Sequence, residues 1–214
     1  MRRALIFANG EYKHIESIRA VIRPDDYIIA ADGGAKFAAE IGVRPHVIIG
    51  DMDSLTDFDL QGFVEQSVEV IRFPREKDET DLELAVLHAR RAGFEPVLIL
   101  GAFGGRLDQT LGNIMLLSGP EAGDVEIRLE DGLTEAFFIH GQAIISGKKG
   151  DTVSLVPWAG SVEGVVTNGL AYPLQNEILY PYKTRSISNE MLAESASISI
   201  TKGLLFCIHI RTKN

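Results

Sequence analysis

The chain has 214 residues, 45% of them hydrophobic, which is enough to bury a substantial core and argues against a disordered protein. Its 21 lysines and arginines against 30 aspartates and glutamates give a formal net charge of -9, which argues against binding to nucleic acid through the phosphate backbone. No run approaches the roughly 18 to 20 apolar residues of a membrane span, and the first apolar run stops at Asn9, so we expect a cytoplasmic protein without a signal peptide.

The first 130 residues or so alternate between two kinds of pattern. Short β-rich runs predict strands, and apolar residues at helical spacing between them predict helices. This alternation is typical of an α/β domain in which a mostly parallel, Rossmann-like sheet is covered by helices on both faces. The predicted strands are 3–8, 26–31, 46–50, 68–73, 96–101 and 125–130, and the predicted helices are 14–22, 35–42, 56–66, 80–93 and 107–118.

The pattern changes at Leu133, after which strand-like runs are separated by turns. This half is expected to form an all-β domain, a small sandwich, and the single cysteine, Cys207, is expected in its core. We therefore predict an α/β domain over 1–132 and a β-sandwich domain over 133–214. The predicted strand-like runs of the second half are 134–141, 142–150, 151–160, 162–169, 196–203 and 204–212.

Aspartates follow four of the predicted strands of the first half. In a parallel sheet the carboxyl ends of the strands meet at one edge, where ligands bind, so these side chains are expected to lie together although they are far apart in sequence. Clustered carboxylates repel one another unless a cation is present, and a hard ion such as Mg²⁺ prefers oxygen ligands of this kind. The residues concerned are Asp32, Asp51, Asp53, Asp78, Asp81 and Asp108.

Glycines and basic residues near these acids indicate a phosphorylated substrate. Magnesium is usually bound by a few carboxylates together with substrate phosphates, which would allow an acidic cleft to hold a polyanion. The Gly33-Gly34 pair and the glycines of the segment 101–106 would let backbone N–H groups approach phosphate closely. Lys77 and Arg106 would add positive charge there.

Each of these features also has a purely structural interpretation. An aspartate after a strand is usually the N-cap of the next helix, which applies to Asp32 or Asp108 taken singly, and Asp78 or Thr80 is also suited to capping a helix. The pair Asp51 and Asp53 is harder to explain in this way, because only one residue can be the cap. Neither the P-loop spacing nor the dinucleotide-binding fingerprint is present.

Six ordered motifs together resemble the bacterial thiamine pyrophosphokinases. The motifs are ADGGA at 31–35, GDMDS at 50–54, KDETDLELA at 77–85, GAFGGRLDQTLGN at 101–113, EGVVTNGLAYPL at 163–174 and TRSISNE at 184–190. The resemblance implies transfer of the pyrophosphoryl group of ATP to the hydroxyl of thiamine, which yields thiamine diphosphate and AMP. It also implies that 1–132 is a catalytic domain that binds ATP and Mg²⁺, and that 133–214 binds thiamine and forms a homodimer with thiamine where the subunits meet.

The resemblance also implies roles for individual residues. Mg²⁺ ligands would be Asp51, Asp53 and Asp81, and the residues lining the same pocket would be Lys77, Asp78 and Thr80. Nucleotide or thiamine would be held by Asp32, Gly33, Gly34, Arg106, Asp108 and Gln109, with Asp108 or Asp78 as a candidate general base. Thiamine contacts from the partner subunit would come from Ser186, Ser188 and Asn189. The segment 183–185 departs from the family, which usually has a glycine shortly before these serines.

Two other functions are compatible with the acidic cleft. A pyrophosphokinase that acts on a pterin alcohol would use the same acids, but the segments 169–174 and 186–190 favour thiamine. A non-catalytic sensor of thiamine or nucleotide would keep the fold, but it would not need a full set of metal-binding acids.

Overall fold

A computed structural model describes residues 2–119 and 125–212. The chain divides into two units, Met1–Gly132, called here the N-terminal unit, and Leu133–Asn214, called the C-terminal unit. Within the described residues, no helix is long and apolar enough to cross a membrane.

The N-terminal unit is built on a parallel sheet. Its described strands are β1 (Ala4–Phe7), β2 (Tyr27–Ala31), β3 (Val47–Gly50), β4 (Glu69–Arg72), β5 (Val97–Leu100) and β6 (Ile127–Glu130). They lie in the order β4-β3-β2-β1-β5-β6, and each adjacent pair is parallel. All residues of β1, β3 and β5 are buried, as expected of apolar strands covered on both faces.

Five described helices connect these strands. They are α1 (Ile15–Val21), α2 (Gly34–Glu40), α3 (Asp57–Glu65), α4 (Asp81–Arg91) and α5 (Leu107–Ser118). Ile18 of α1 and Ala38 of α2 pack in one cluster with Leu5 and Phe7 of β1. Helix α4 packs against β1, β2 and β3. The predicted α/β architecture with a parallel sheet is thus confirmed.

The strand order creates a crevice at the carboxyl edge of the sheet. From β1 the chain continues to β2, β3 and β4 on one side of the sheet, and it then returns to β5 and β6 on the other side of β1. The connections that follow β1 and β5 therefore lead in opposite directions. Such a switch point is where open α/β sheets bind ligands. Four strands lie on one side of it and two on the other, whereas the dinucleotide-binding order has three on each side, so the Rossmann-like detail of the prediction is not confirmed.

The C-terminal unit consists of antiparallel strands. They are β7 (Thr134–Ile139), β8 (Gln142–Ser146), β9 (Thr152–Asn168), β10 (Glu177–Leu179), β11 (Asn189–Glu190), β12 (Ser195–Ser199) and β13 (Lys202–Ile210). One core cluster joins residues from β7, β8, β9, β12 and β13, and it contains Cys207, as predicted.

One strand differs from the sequence prediction. The runs 151–160 and 162–169 were expected to be two strands, but they form the single strand β9. Ala159 and Gly160, which resemble a turn, have φ values of 58° and 156°, and the register of pairing with β13 shifts in this region, but the strand does not end. The first half of β9 pairs mainly with β13 and β11 and the second half with β12 and β10, so one strand pairs with four neighbours.

A buried polar network lies beside the core of the C-terminal unit. His209 has no exposed surface, and its ring nitrogens lie 2.9 Å from Glu135 Oε1 and 3.1 Å from Asp151 Oδ2. The backbone N–H groups of Lys148 and Thr212 also donate to Asp151. Burial opposes the ionisation of Asp151, but these hydrogen bonds outweigh it and lower its pKa from 3.8 to about 2.

Candidate active site

A cleft of about 690 Å³ opens at the carboxyl edge of the parallel sheet. It is lined by the loops that follow β1, β2, β3, β4 and β5 and by residues of α4 and α5. The polar residues of the lining are Asn9, Glu11, Asp32, Asp53, Ser54, Lys77, Glu79, Thr80, Asp81, Arg106, Gln109 and Asn113. The loops after five different strands therefore converge on one space.

Three aspartates at the ends of β2 and β3 form the acidic part of the site. Asp32, Asp51 and Asp53 each offer a carboxylate oxygen, and these oxygens lie within 4.8 Å of one another. Met52 has a φ of 67° and is buried, so the aspartates on either side of it belong to the cluster while its own side chain packs in the core. Within GDMDS, the side chains of Asp51 and Asp53 thus belong to the acidic group, and the side chain of Met52 between them belongs to the core.

Gly50, the last residue of β3, makes room for these acids. Its φ is 154°, and a Cβ built on it would lie 2.9 Å from Asp81 Cγ and 3.0 Å from Asp32 Cβ. The first distance is shorter than real Cβ contacts and the second is at the short limit, so a side chain at this position would have to displace Asp81 and crowd Asp32. Glycine here is a requirement of the site geometry.

The donor set fits a hard divalent cation. Asp32 is buried, and its Oδ1 atom accepts no hydrogen bond from any of the described residues. A buried carboxylate oxygen without a partner is costly, and a bound cation would satisfy it. The family resemblance implies Asp51, Asp53 and Asp81 as metal ligands, whereas the compact group in the structure contains Asp32 in place of Asp81.

Asp81 lies next to this group and is paired with a lysine. Its Oδ1 atom is 3.1 Å from Lys77 Nζ, which is also 3.8 Å from Asp51 Oδ2. Burial raises the pKa of Asp81, the Lys77 ammonium opposes this rise, and the carboxylates of Asp51 and Asp32 add to it. A further positive charge in the cleft would therefore favour the ionised form of Asp81.

Two neighbours of Asp81 in the motif KDETD have different surroundings. Thr80 is the N-cap of α4, since its hydroxyl accepts a hydrogen bond from Glu83 N at 3.2 Å, and it also lines the cleft. The structural interpretation considered for Thr80 is therefore correct, and it is compatible with a place in the site. Asp78 is exposed and does not line the cleft.

A second cavity of about 430 Å³ adjoins helix α5. Thr80, Gln109 and Asn113 line both cavities, so the two share a wall. Asp108 lines the second cavity and forms an ion pair with Arg106 at 2.6 Å. The hydrogen bond from Arg106 lowers the pKa of Asp108. Arg106 lines the first cavity, so this pair lies where the two meet.

Some lining residues were not predicted, and some predicted ones do not line the cleft. Asn9 and Glu11 follow β1 at the switch point, and Asn9 Nδ2 donates to Ser54 Oγ. The signal that could have found them is their position after the central strand, since they belong to no acidic cluster. Gly33 and Gly34 are buried outside the cleft lining, and a Cβ on Gly33 would meet the Asn9 side chain at 2.5 Å.

The predicted thiamine-contacting residues lie in the C-terminal unit. Ser186 and Asn189 are buried, and their side chains are used within the fold: Ser186 Oγ donates to Leu155 O, and Asn189 Nδ2 donates to Tyr172 O. Ser188 is exposed and has a φ of 58°, and its backbone N–H donates a hydrogen bond to Ser154 Oγ. Ser188 is thus the member of this group whose side chain is best placed to meet a ligand.

Two family models match the sequence. Residues 18–129 match thiamin pyrophosphokinase, catalytic domain, and this match alone covers more than half of the chain. Residues 142–205 match thiamin pyrophosphokinase, vitamin B1 binding domain. The first match lies within the N-terminal unit and the second within the C-terminal unit, and neither match reaches the ends of its unit.

Individual proteins of this kind are similar over their whole length. The chain is 29% identical over 210 residues to the thiamine pyrophosphokinase of Bacillus subtilis. The aligned residues cover 97% of this chain and 98% of that protein. A crystal structure of thiamine pyrophosphokinase from Bacillus subtilis has a TM-score of 0.88 at 26% identity, covering 99% of this chain and 100% of the other. A thiamin pyrophosphokinase family protein from Enterococcus faecalis has a TM-score of 0.80 at 29% identity, covering 100% of both.

Proposed function

The chain belongs to the thiamine pyrophosphokinase family and is a transferase that makes thiamine diphosphate from thiamine and ATP, and we propose that its acidic cleft binds the ATP polyphosphate together with Mg²⁺. The observation that carries this proposal is the group of Asp32, Asp51 and Asp53, whose carboxylate oxygens lie within 4.8 Å of one another. The family membership does not favour a pterin substrate or a sensor without activity.

The residues that would hold Mg²⁺ are Asp32, Asp51 and Asp53, with Asp81 beside them. When bound, the ion would neutralise charge on phosphate oxygens. The buried Oδ1 of Asp32 supports this assignment, because this carboxylate oxygen accepts no hydrogen bond from any described residue. The same acids would otherwise repel a polyphosphate.

The remaining lining residues would orient the substrates. Transfer of a pyrophosphoryl group to an alcohol depends mainly on alignment and on neutralisation of charge. Lys77 and Arg106 line the cleft on different loops and would contact phosphate oxygens, and Gln109 would contact nucleotide or thiamine. The assignment of Asp108 or Asp78 as general base stays a prediction. Arg106 lowers the pKa of Asp108, which makes that carboxylate a weaker proton acceptor.

An assay of AMP release tests the function. Purified protein is incubated with ATP and Mg²⁺ and with either thiamine or a hydroxymethylpterin, and AMP is measured. We expect AMP with thiamine and none with the pterin. Release with the pterin alone would support a pterin pyrophosphokinase, and no release with either would support a sensor.

We also propose a homodimer in which the exposed Ser188 of one subunit reaches thiamine bound at the cleft of the other. Exposed apolar side chains near this segment in the sequence support a contact surface: Tyr172, Ile178, Tyr180, Tyr182, Ile187 and Leu192 are all at least 39% exposed. The enzyme would act in the cytoplasm, where ATP is available, and this location remains a prediction.

Sedimentation velocity tests the homodimer. We expect the mass of two chains at the concentration used in the AMP assay, because a site shared between subunits requires the dimer. Ser188→Ala is expected to raise the KM for thiamine with little change in thermal stability, since the serine is exposed. A monomer that is fully active would contradict the shared site.

A further inference from the structure

Lys77 occupies an unusual position among the acids of the cleft. Its ammonium lies between two carboxylates from different elements, Asp51 after β3 and Asp81 at the start of α4, at 3.8 Å and 3.1 Å. The side chain is only 11% exposed, and Nζ also donates to Pro74 O at 3.2 Å. Lys77 is thus held in place by one hydrogen bond and two ion pairs.

The ammonium of Lys77 lies close to the place where these aspartates would bind a metal ion. Asp51 belongs both to the ion pair with Lys77 and to the group of carboxylates suited to a metal. A divalent ion on Asp51 and an ammonium on the same carboxylate repel each other at short range, the more so because the region is poorly exposed. Binding of the ion therefore has to weaken the contact between Lys77 and Asp51.

The cleft can accommodate the Lys77 ammonium when it leaves Asp51. Lys77 lines the cleft, and its flexible four-carbon stem allows the charge to move several ångströms without a backbone change. A polyphosphate in the cleft would supply new acceptors, and lysine is well suited to phosphate as a mobile point charge. The substrate would thus replace the acceptors that the metal takes from Lys77.

We propose that Lys77 is a positioning residue that serves as the cation of the metal-free site and is exchanged for the metal when substrate binds. In the free protein it holds Asp51 and Asp81 together and limits their repulsion. In the loaded protein it moves to the phosphates, so Mg²⁺ and nucleotide each favour binding of the other. This inference rests on the proposed metal–polyphosphate site and adds a coupling between its two ligands.

The neighbouring arginine does not fit the same role. Arg75 Nε lies 4.0 Å from Asp53 Oδ2, but its side chain is 83% exposed, so water screens the contact. An exposed arginine can leave Asp53 at little cost. Lys77 is the residue whose contacts with the acids have to be replaced.

Calorimetric titration with Mg²⁺ tests the exchange. The proteins are the wild type, Lys77→Met and the charge-matched control Lys202→Met, whose lysine pairs with Glu163 at an exposed site in the C-terminal unit. Each is titrated with and without an ATP analogue that has a methylene bridge between the α and β phosphorus atoms. Asp53→Asn is included to show that binding occurs at the cleft.

Lys77→Met is expected to raise the Mg²⁺ affinity without the analogue and to reduce the gain in Mg²⁺ affinity that the analogue causes. Without the analogue it should bind Mg²⁺ at least about fivefold more tightly than the wild type, a factor at the lower end of ordinary coupling between two sites. With the analogue, the enhancement of Mg²⁺ affinity seen in the wild type should be largely lost. A residue that only supports the fold would weaken both, and Lys202→Met should change neither.

The outcomes separate the inference from the proposed function. If the wild type binds no Mg²⁺ at the cleft under either condition, the proposed metal site is wrong. If the wild type binds Mg²⁺ and Asp53→Asn abolishes this, but Lys77→Met binds it no more tightly than Lys202→Met, the exchange is wrong and the metal site stands.

A measurement on the wild type gives the same answer without a variant. Acetylation of lysines is followed by mass spectrometry with and without Mg²⁺. We expect Mg²⁺ to increase the labelling of Lys77 severalfold, because the ion frees its amine, and to leave that of Lys202 unchanged. Labelling of Lys77 that stays constant or falls at a saturating Mg²⁺ concentration would overturn the exchange.

Discussion

Asparagine in place of either Asp51 or Asp53 is expected to abolish Mg²⁺-dependent formation of AMP. The change keeps the shape of the side chain and removes the negative charge, so the cluster loses a ligand that a hard cation needs. We expect kcat to fall by more than about 100-fold, since even changes to residues that only support metal ligands typically cost 10- to 100-fold. The measurement is AMP release with thiamine at saturating ATP and Mg²⁺.

The fold should survive these two substitutions. Asp53 is exposed, and the contacts of Asp51 are polar, an ion pair with Lys77 and a hydrogen bond from Asp53 N–H that asparagine can still accept, so thermal unfolding in the absence of Mg²⁺ should change little. Asp25→Asn is a matched control, because Asp25 is an exposed aspartate on the same unit and lies outside the cleft lining. Turnover close to that of the control in either variant would remove that aspartate from the site.

Asp151→Asn is expected to destabilise the C-terminal unit strongly. Asp151 is 1% exposed and accepts hydrogen bonds from two backbone N–H groups and from the Thr212 hydroxyl, besides its contact with His209. An asparagine would place an amide donor against at least one of these donors. Breaking a buried charged network by removing one partner costs about 3 to 5 kcal/mol, so we expect a loss of that order in urea unfolding at neutral pH.

The loss should depend on pH in a defined direction. The pKa of Asp151 is lowered from 3.8 to about 2, so its ionised form stabilises the fold above pH 4 and this contribution disappears as the pH falls towards 2. The difference between wild type and Asp151→Asn should therefore shrink over this window. Glu163→Gln, at an exposed ion pair of the same unit, should change stability by less than about 1 kcal/mol. A difference that stays constant down to pH 2 would show that the charge of Asp151 contributes little.

The sequence predicted the architecture well where the pattern was local. The apolar runs of β1, β3 and β5 are short and bounded by helical patterns, which is typical of buried parallel strands, and the structure confirms them. The motifs also identified the family correctly, as the two model matches confirm. The continuity of β9 could not be predicted, because Ala159 and Gly160 resemble a turn and the strand is kept together by pairing with strands that come later in the chain, among them β12 and β13.

The site was predictable to the extent that topology alone determines it. Parallel strands bring their carboxyl ends to one edge, and this explains why Asp32, Asp51 and Asp53 meet. The contacts of individual side chains are beyond that argument. Lys77 lies between Asp51 and Asp81, and Ser186 and Asn189 form hydrogen bonds within their own unit, whereas the contacts of these residues with substrates stay predictions. The observed contacts depend on three-dimensional neighbours that no motif encodes.

Gly50 gives a criterion for judging other sequences of this kind. A chain can keep all four aspartates of the cleft and still carry a side chain at the position of Gly50, and it could not then place Asp32 and Asp81 as they lie here. Such a chain would retain every acidic residue that a motif search detects while lacking the geometry for metal-assisted transfer. The absence of a Cβ at the end of β3, more than the number of carboxylates, would then distinguish working enzymes from relatives that have kept only the ability to bind.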